Sequence, residues 1–227
     1  MADLFGDHAP EAPARSDTGA ARSNAPLADR LRPASLDEVI GQEHLTGPEG
    51  AIGRMVAAGK LSSMILWGPP GTGKTSIARL LAASVGMRFT SISAVFSGVA
   101  DLKKAFAEAD KMASAGQTTL LFVDEIHRFN RAQQDGFLPF VERGTITLVG
   151  ATTENPSFAL NAALLSRAQV LILERLDHAA LEGLLARAEA LEGPLPLTQD
   201  ARTALSASAD GDGRFLLGQA ETLYNAK

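Results

Sequence analysis

A glycine-rich stretch at residues 68–75, GPPGTGKT, fits the pattern G-x-x-x-x-G-K-[ST] between a predicted strand and a predicted helix. Gly71 and Gly73 let the backbone turn so that successive amide N–H groups point at one anion, and the following helix offers its N-terminus to the same anion. Lys74 can bridge the two outer phosphates of a nucleoside triphosphate, and Thr75 can offer its hydroxyl to Mg²⁺. The predicted phosphate site consists of Gly68, Pro69, Pro70, Gly71, Thr72, Gly73, Lys74, Thr75 and Ser76.

Two adjacent carboxylates follow a hydrophobic run in the segment LLFVDEIHRF. They stand where a strand should end, and open α/β sheets bind ligands beyond the carboxyl ends of their strands. Asp124 is therefore expected to bind Mg²⁺ together with Thr75, and Glu125 to orient and polarise a water molecule for attack on the terminal phosphate. A solvated strand end is the competing interpretation, and the phosphate loop in the same chain argues against it.

Other nucleotide-binding classes fit the sequence less well. The letters DEIH resemble the DExH box of helicases, but only two strands are predicted after Asp124, and a second RecA-like lobe needs more. We therefore interpret His127 as a packing or coupling residue. No N-K-x-D or T-K-x-D guanine motif follows the phosphate loop, so ATP is the expected nucleotide.

Strands and helices alternate through most of the chain. Strands are predicted at residues 63–67, 88–93, 118–125, 145–153 and 168–174, and helices at residues 75–86, 99–116 and 131–144. Strands separated by helices of this length form a parallel sheet with helices on both faces. The predicted fold class is therefore α/β, with a parallel five-stranded sheet flanked by helices.

The ends of the chain differ from this pattern. Residues 1–26 are rich in Ala and Pro and are predicted to be a disordered tail. The α/β domain is predicted at residues 27–175. From residue 176 to residue 227 only helices are predicted, one with Asp177 as its N-cap and another that starts near Thr198. This part is expected to be a small all-α domain.

Composition excludes several classes of protein. The 227 residues hold 21 Lys and Arg against 26 Asp and Glu, a formal net charge of −5, so the chain does not coat nucleic acid by bulk charge. The absence of Cys excludes disulfides, thiolate zinc sites and cysteine nucleophiles. Apolar runs are too short to span a bilayer, and no secretory signal is visible. A cytoplasmic protein is expected.

Together the motifs resemble those of AAA+ ATPases. The segments MILWGPPGTGKT, LFVDEIHRFNRAQQDGFLP and GTITLVGATTENPSF are similar to the replication-associated recombination protein A family, whose eukaryotic relatives are the Werner helicase-interacting proteins. The resemblance extends from residue 26 to about residue 225. It implies a P-loop AAA+ domain followed by an all-α lid. A clamp-loader or Holliday-junction motor subunit is the alternative, since those proteins share the general pattern.

The resemblance also assigns roles to residues far from the phosphate loop. It implies that Thr153 is the first sensor of the terminal phosphate, with Asn155 nearby. Arg167 matches the arginine that completes the active site of the neighbouring subunit. Arg214 matches the second sensor, which contacts the γ-phosphate from the lid. The sequence departs from the family at the next position: members of the family often have a further basic residue after this arginine, whereas here Phe215 follows Arg214.

The same resemblance implies the ligands and partners. Ile40 and Gly41, with the segment around Leu27, would line the adenine pocket, and ATP with Mg²⁺ would be bound. The family acts on DNA at stalled or gapped replication forks, binds single-strand/duplex junctions and associates with single-stranded-DNA-binding protein. A homo-oligomer in the cytoplasm, at the nucleoid and replication forks, is therefore expected. The family usually carries a further C-terminal helical domain that builds a tetramer. This sequence stops at Lys227, about where the lid ends, which leaves two alternatives: either the chain is truncated or the tetramer-forming part is absent.

Three further hypotheses come from the sequence. Ala2, Asp3, Leu4 and Phe5 resemble the short peptide by which bacterial replication proteins bind a sliding clamp. Arg128 and Arg131, just after the acidic pair, could contact DNA. An ATP-gated scaffold for replication partners, in which hydrolysis is incidental, is the alternative to a DNA-dependent ATPase.

Overall fold

A computed structural model describes residues 25–226, so the predicted tail and the clamp-binding residues Ala2, Asp3, Leu4 and Phe5 lie outside the described residues. Five strands form one sheet: β1 Met64–Trp67, β2 Arg88–Ser93, β3 Thr119–Asp124, β4 Ile146–Thr152 and β5 Gln169–Ile172. Their spatial order is β2-β3-β4-β1-β5, and all four pairings are parallel. The predicted parallel five-stranded sheet is confirmed.

The helices follow the strands in the alternation expected of an α/β domain. They are α1 Leu27–Arg30, α2 Glu43–Thr46, α3 Ala51–Ala57, α4 Lys74–Ser84, α5 Val99–Ser114, α6 Arg131–Asp135, α7 Leu138–Glu142, α8 Pro156–Ala159, α9 Ala162–Leu165, α10 His178–Glu192, α11 Gln199–Ala209 and α12 Gly213–Asn225, with short 3-10 helices at Leu36–Glu38 and Ile126–Arg128. None of the helices within residues 25–226 is long and apolar enough to cross a membrane.

The sheet is covered on both faces. Side chains alternate along a strand, so Leu66 of β1 packs toward Ile77 of α4, whereas its neighbour Ile65 packs toward Leu102 of α5. The central strands are mostly apolar because both of their faces are buried. One apolar cluster thus packs the sheet against α4, and a second packs its other face against α5. The sheet is held between these two helices, so the carboxyl ends of its strands have fixed positions.

The predicted helix at residues 131–144 is wrong in one respect, because the structure divides it into α6 and α7. Pro139 lies at the second position of α7. In a continuous helix its ring would remove a backbone hydrogen bond to residue 135 and clash with the preceding turn. The break places Phe137, between the two helices, in the core.

The helices α10, α11 and α12 form the lid. Each begins at a capping side chain: Asp177 accepts from the Ala180 N–H at 2.7 Å, Thr198 from the Ala201 N–H at 3.3 Å, and Asp212 from the Phe215 N–H at 2.9 Å. Leu27 of α1 is fully buried in the apolar core of the lid. The structure thus packs α1 with the lid, although the sequence assigns residue 27 to the α/β domain.

Candidate nucleotide-binding site

A cleft of about 200 Å³ lies between the carboxyl ends of the central strands and the lid. Its walls come from the loop after β1, the ends of β3 and β4, the segment after α1, and helices α10 and α12. The structure brings twelve of the predicted site residues into this cleft: Ile40, Pro70, Gly71, Thr72, Gly73, Lys74, Thr75, Ser76, Asp124, Glu125, Thr153 and Arg214.

Lys74 is the buried cation of the cleft. Its Nζ donates hydrogen bonds to the carbonyl oxygens of Gly68 at 2.7 Å and Pro69 at 2.6 Å. Burial lowers the pKa of the Lys74 ammonium, and the nearby Glu125 and Asp124 carboxylates partly oppose that shift. Gly68 and Pro69 therefore act through their backbone on the lysine, and neither lines the cleft itself.

The phosphate loop depends on backbone conformations that suit glycine. Gly73 has a φ of 94° at the N-cap of α4, which lets the helix begin at Lys74. Gly71 has a φ of 71°, and a Cβ atom there would lie 1.8 Å from Oδ1 of Asp212. The capping residue of α12 therefore sits directly against the loop, and no larger residue than glycine fits between them.

Glu125 adopts a left-handed backbone conformation, with a φ of 53°. For a residue with a Cβ atom this costs about 1–2 kcal/mol. Such residues concentrate at functional sites, where surrounding structure holds them in place. Here Asp124 ends β3 and the turn at Glu125 leads into the 3-10 helix, so both carboxylates line the cleft.

His127 connects Glu125 to the end of β4. The imidazole is nearly buried, with 4% of its side chain exposed. Its Nδ1 lies 2.9 Å from the Thr152 hydroxyl, and its Nε2 lies 3.3 Å from a carboxylate oxygen of Glu125 and 3.3 Å from one of Glu154. These contacts agree with the interpretation of His127 as a packing or coupling residue, and they identify Thr152, Glu125 and Glu154 as its neighbours.

The base end of the cleft is apolar. Ile40 and Val39 contribute from the segment after α1, and Leu176, Leu184 and Leu217 contribute from the lid side. An apolar pocket with a few polar groups suits a planar base. Gly41, predicted to belong to this pocket, does not line it. A Cβ atom at Gly41 would lie 2.7 Å from Leu176, so its part is to allow that close packing.

Two other predicted residues lie outside the cleft. The Asn155 side chain caps α8, where it accepts from the Ser157 N–H at 3.0 Å. Arg167 is partly exposed and donates to a carboxylate oxygen of Glu142 at 2.6 Å and to the Ala163 carbonyl at 2.9 Å. Neither side chain reaches the phosphate loop of its own chain.

Sequence reasoning missed one cation that lines the cleft and two polar residues that support its walls. Arg187 of α10 lines it, three positions after Leu184 on the same helix face, so helical spacing could have found it. Asp212 lies directly against Gly71. The only sign of this in the sequence is that Asp212 precedes the predicted site residue Arg214 by two positions. Gln42 is fully buried beside the pocket. Its side-chain amide donates to the Glu174 carbonyl at 2.9 Å and accepts from the Glu174 N–H at 3.1 Å.

The oxygen ligands in the cleft fit Mg²⁺ bound together with a nucleotide. The Thr75 hydroxyl and the Asp124 carboxylate both line it. Within residues 25–226 no group of three or more His, Cys, Asp or Glu side chains could hold a metal alone. Mg²⁺ usually takes one or two protein ligands and completes its shell with phosphates and water, so this sparse set is sufficient.

Comparison with known proteins agrees with this geometry. Residues 64–176 match the family described as "ATPase family associated with various cellular activities (AAA)". The "Replication-associated recombination protein A" of Coxiella burnetii is 50% identical over 208 residues, which cover 87% of this chain and 46% of that protein. The chain belongs to the replication-associated recombination protein A family of AAA ATPases.

Relatives of this AAA ATPase extend to eukaryotes and to solved structures. The "ATPase WRNIP1" of Dictyostelium discoideum is 43% identical over 86% of this chain and 23% of that protein. A "Thermotoga maritima RuvB Holliday junction branch migration motor" superposes with a TM-score of 0.67 and 28% identity, covering 84% of this chain and 64% of that one. The chain spans about half the length of the bacterial relatives named Replication-associated recombination protein A.

Proposed function

We propose that the chain binds ATP with Mg²⁺ in the cleft and hydrolyses it, and that DNA at stalled or gapped replication forks stimulates the reaction. The observation that carries this proposal is that Lys74 and Glu125 line one cleft and interact electrostatically. The first is a cation for the phosphates, and the second is a carboxylate for the attacking water. A site that only holds a nucleotide needs the lysine but has no need of the glutamate.

In the binding step, the backbone N–H groups of residues 71–74 and the N-terminus of α4 would face the phosphates. Lys74 leaves the Gly68 and Pro69 carbonyls and neutralises the two outer phosphates. The Thr75 hydroxyl and the Asp124 carboxylate would hold Mg²⁺, which would withdraw charge from the phosphates. The apolar base pocket orients the nucleotide.

In the hydrolysis step, the Glu125 carboxylate accepts a hydrogen bond from the attacking water and orients it toward the γ-phosphate. Thr153, at the end of β4, and Arg214, at the start of α12, line the same cleft and would contact the terminal phosphate. Positive charge from Arg214 reaches this region, since it lowers the pKa of the Lys74 ammonium. Because Arg214 belongs to the lid, closure of the lid would accompany catalysis.

Arg167 is proposed to complete the site of a neighbouring copy. It lies outside the cleft of its own chain and pairs with Glu142 at a partly exposed position. An arginine supplied in trans accelerates phosphoryl transfer by about 10³–10⁵-fold. Activity would then depend on homo-oligomer formation, and the specific rate would rise with protein concentration.

DNA is the proposed effector because the relatives are named for replication-associated recombination. Arg128 and Arg131 are exposed and follow the acidic pair by only a few residues, so a phosphate backbone bound there would act close to Glu125. Single-strand/duplex junctions are the proposed structure. The likeness to RuvB makes a four-way junction the second candidate.

The test is the ATPase rate with single-strand/duplex junctions, four-way junctions or no DNA, with Lys74→Ala as the blank. Junction DNA should raise the rate, and Arg131→Glu should reduce the ratio of the DNA-stimulated to the DNA-free rate by about tenfold or more. Lys60→Glu is the matched control, since Lys60 is also exposed but precedes β1, at the amino ends of the parallel strands and not at the carboxyl ends where the cleft lies. Equal stimulation with and without Arg131 would contradict this placement of DNA.

A further inference from the structure

The nearly buried imidazole of His127 faces two carboxylates with one ring nitrogen. Nε2 lies 3.3 Å from Glu125 and 3.3 Å from Glu154. Carboxylates that are ionised only accept hydrogen bonds, so Nε2 must carry a proton to bond either of them. That nitrogen carries one proton at most, whether the ring is neutral or charged. The two carboxylates therefore compete for a single N–H, and both distances are longer than the roughly 2.7–3.2 Å of an ordinary N–H···O hydrogen bond.

The other ring nitrogen fixes the position of the imidazole. The Thr152 hydroxyl lies 2.9 Å from Nδ1, and its oxygen already accepts from the Glu154 N–H at 3.0 Å. The hydroxyl also lies 3.3 Å from the Glu154 carbonyl oxygen, but Nδ1 is the nearer acceptor. In the neutral ring the hydroxyl therefore donates to Nδ1, which leaves the proton on Nε2. Thr152 is fully buried at the end of β4, so the imidazole is anchored to the sheet.

The two competing carboxylates differ in freedom. The Glu125 side chain is 29% exposed and lines the cleft, whereas the Glu154 side chain is 60% exposed and stands at the start of the segment that leads into α8. Rotation of this exposed side chain can move the Glu154 carboxylate away from Nε2 without disturbing the sheet. The Nε2–H would then be left entirely to Glu125.

We propose that His127 is a positioning residue for Glu125, which its Nε2–H holds toward the cleft, and that Glu154 competes for this proton and so limits the effect. This inference rests on the proposed ATP hydrolysis, in which Glu125 orients the attacking water. A hydrogen bond to one carboxylate oxygen leaves the other free to accept from that water.

Kinetics of four variants test the inference. His127→Ala should lower kcat about tenfold or more while the Kd for ATP changes less than about twofold, because the loss concerns orientation and not binding. His127→Gln, whose amide can donate, should recover part of kcat. Glu154→Ala should raise kcat about twofold, since a proton divided equally becomes wholly available to Glu125. In the His127→Ala background, Glu154→Ala should have no effect.

A structural readout keeps the inference testable without turnover. The ¹⁵N spectra of the four histidine rings, with His127 assigned from the His127→Gln variant, should show His127 protonated at Nε2. Its signal should shift in both Glu125→Ala and Glu154→Ala. An Nε2 without a proton, or Glu154→Ala acting equally with and without His127, would overturn the inference. A wild-type rate no higher than that of Lys74→Ala would instead overturn the proposed function.

Discussion

The contact between the phosphate loop and the lid can be tested by placing one methyl group at Gly71. The Cβ of Gly71→Ala would lie 1.8 Å from Oδ1 of Asp212 and 2.9 Å from the backbone nitrogen of Gly213. Asp212 would have to leave its place as the N-cap of α12, where it accepts from the Phe215 N–H. The variant should therefore disturb the start of the lid helix as well as the loop.

The expected magnitude follows from two contributions. The left-handed conformation of Gly71, with a φ of 71°, costs about 1–2 kcal/mol for alanine. Loss of the Asp212 cap adds about 0.5–2 kcal/mol. Gly86→Ala is the matched control because Gly86 has a φ of 69° and nothing lies within 4 Å of its added Cβ. Gly71→Ala should lower the free energy of unfolding by about 0.5–2 kcal/mol more than Gly86→Ala does.

The assay is urea unfolding of the nucleotide-free chain. Both variants replace glycine by alanine, so the effect on the entropy of the unfolded chain is similar and cancels in the comparison. Gly71→Ala should also cost less in an Asp212→Ala background, because only the 2.9 Å approach to Gly213 remains there. Equal destabilisation by Gly71→Ala and Gly86→Ala, with no dependence on Asp212, would refute the contact between loop and lid.

Three further variants test the packing and electrostatics around the cleft. Gln42→Ala should lower the free energy of unfolding by about 1–3 kcal/mol, because Glu174 loses its partners for both backbone groups, whereas the exposed Gln117→Ala should change it by less than about 0.5 kcal/mol. Leu27→Ala should cost about 2–5 kcal/mol, since the side chain is fully buried in the lid, and a surface-like value would contradict that packing. The pKa of Lys74 is lowered by burial, so the unfolded chain binds this proton more tightly. The unfolding free energy of the wild type relative to Lys74→Met should therefore rise with pH between the lowered pKa and 10.5, and a flat difference would contradict the burial.

The sheet and the phosphate loop were predictable because their signals are local. Apolar runs mark β1, β3 and β4, and the positions of Gly73 and Lys74 follow from the chemistry of binding a phosphate between a strand and a helix. The parallel sheet then places the acids after β3 beside that loop. The signal for the break between α6 and α7 is also local, because Pro139 marks it. The break was not predicted because the residues on both sides of it have helical spacing.

The remaining parts of the site depend on contacts between distant segments. The apolar base pocket joins Ile40 to Leu184 and Leu217, and no sequence pattern states that these segments meet. The contacts of His127 require Thr152 and Glu154, which follow it by 25 or more residues. Tertiary packing alone decides such pairings, so the sequence could assign His127 a class of role but no partner.

Turnover of ATP through Glu125 can be separated from mere binding of ATP in one comparison. ATP hydrolysis and ATP binding are measured together for the wild type, Lys74→Ala and Glu125→Gln at the same protein concentration. We expect the wild type to bind and hydrolyse ATP, and Lys74→Ala to do neither. Glu125→Gln should bind ATP normally while its kcat falls by about 10²-fold or more. Turnover by Glu125→Gln at the wild-type rate would show that Glu125 does not orient the attacking water.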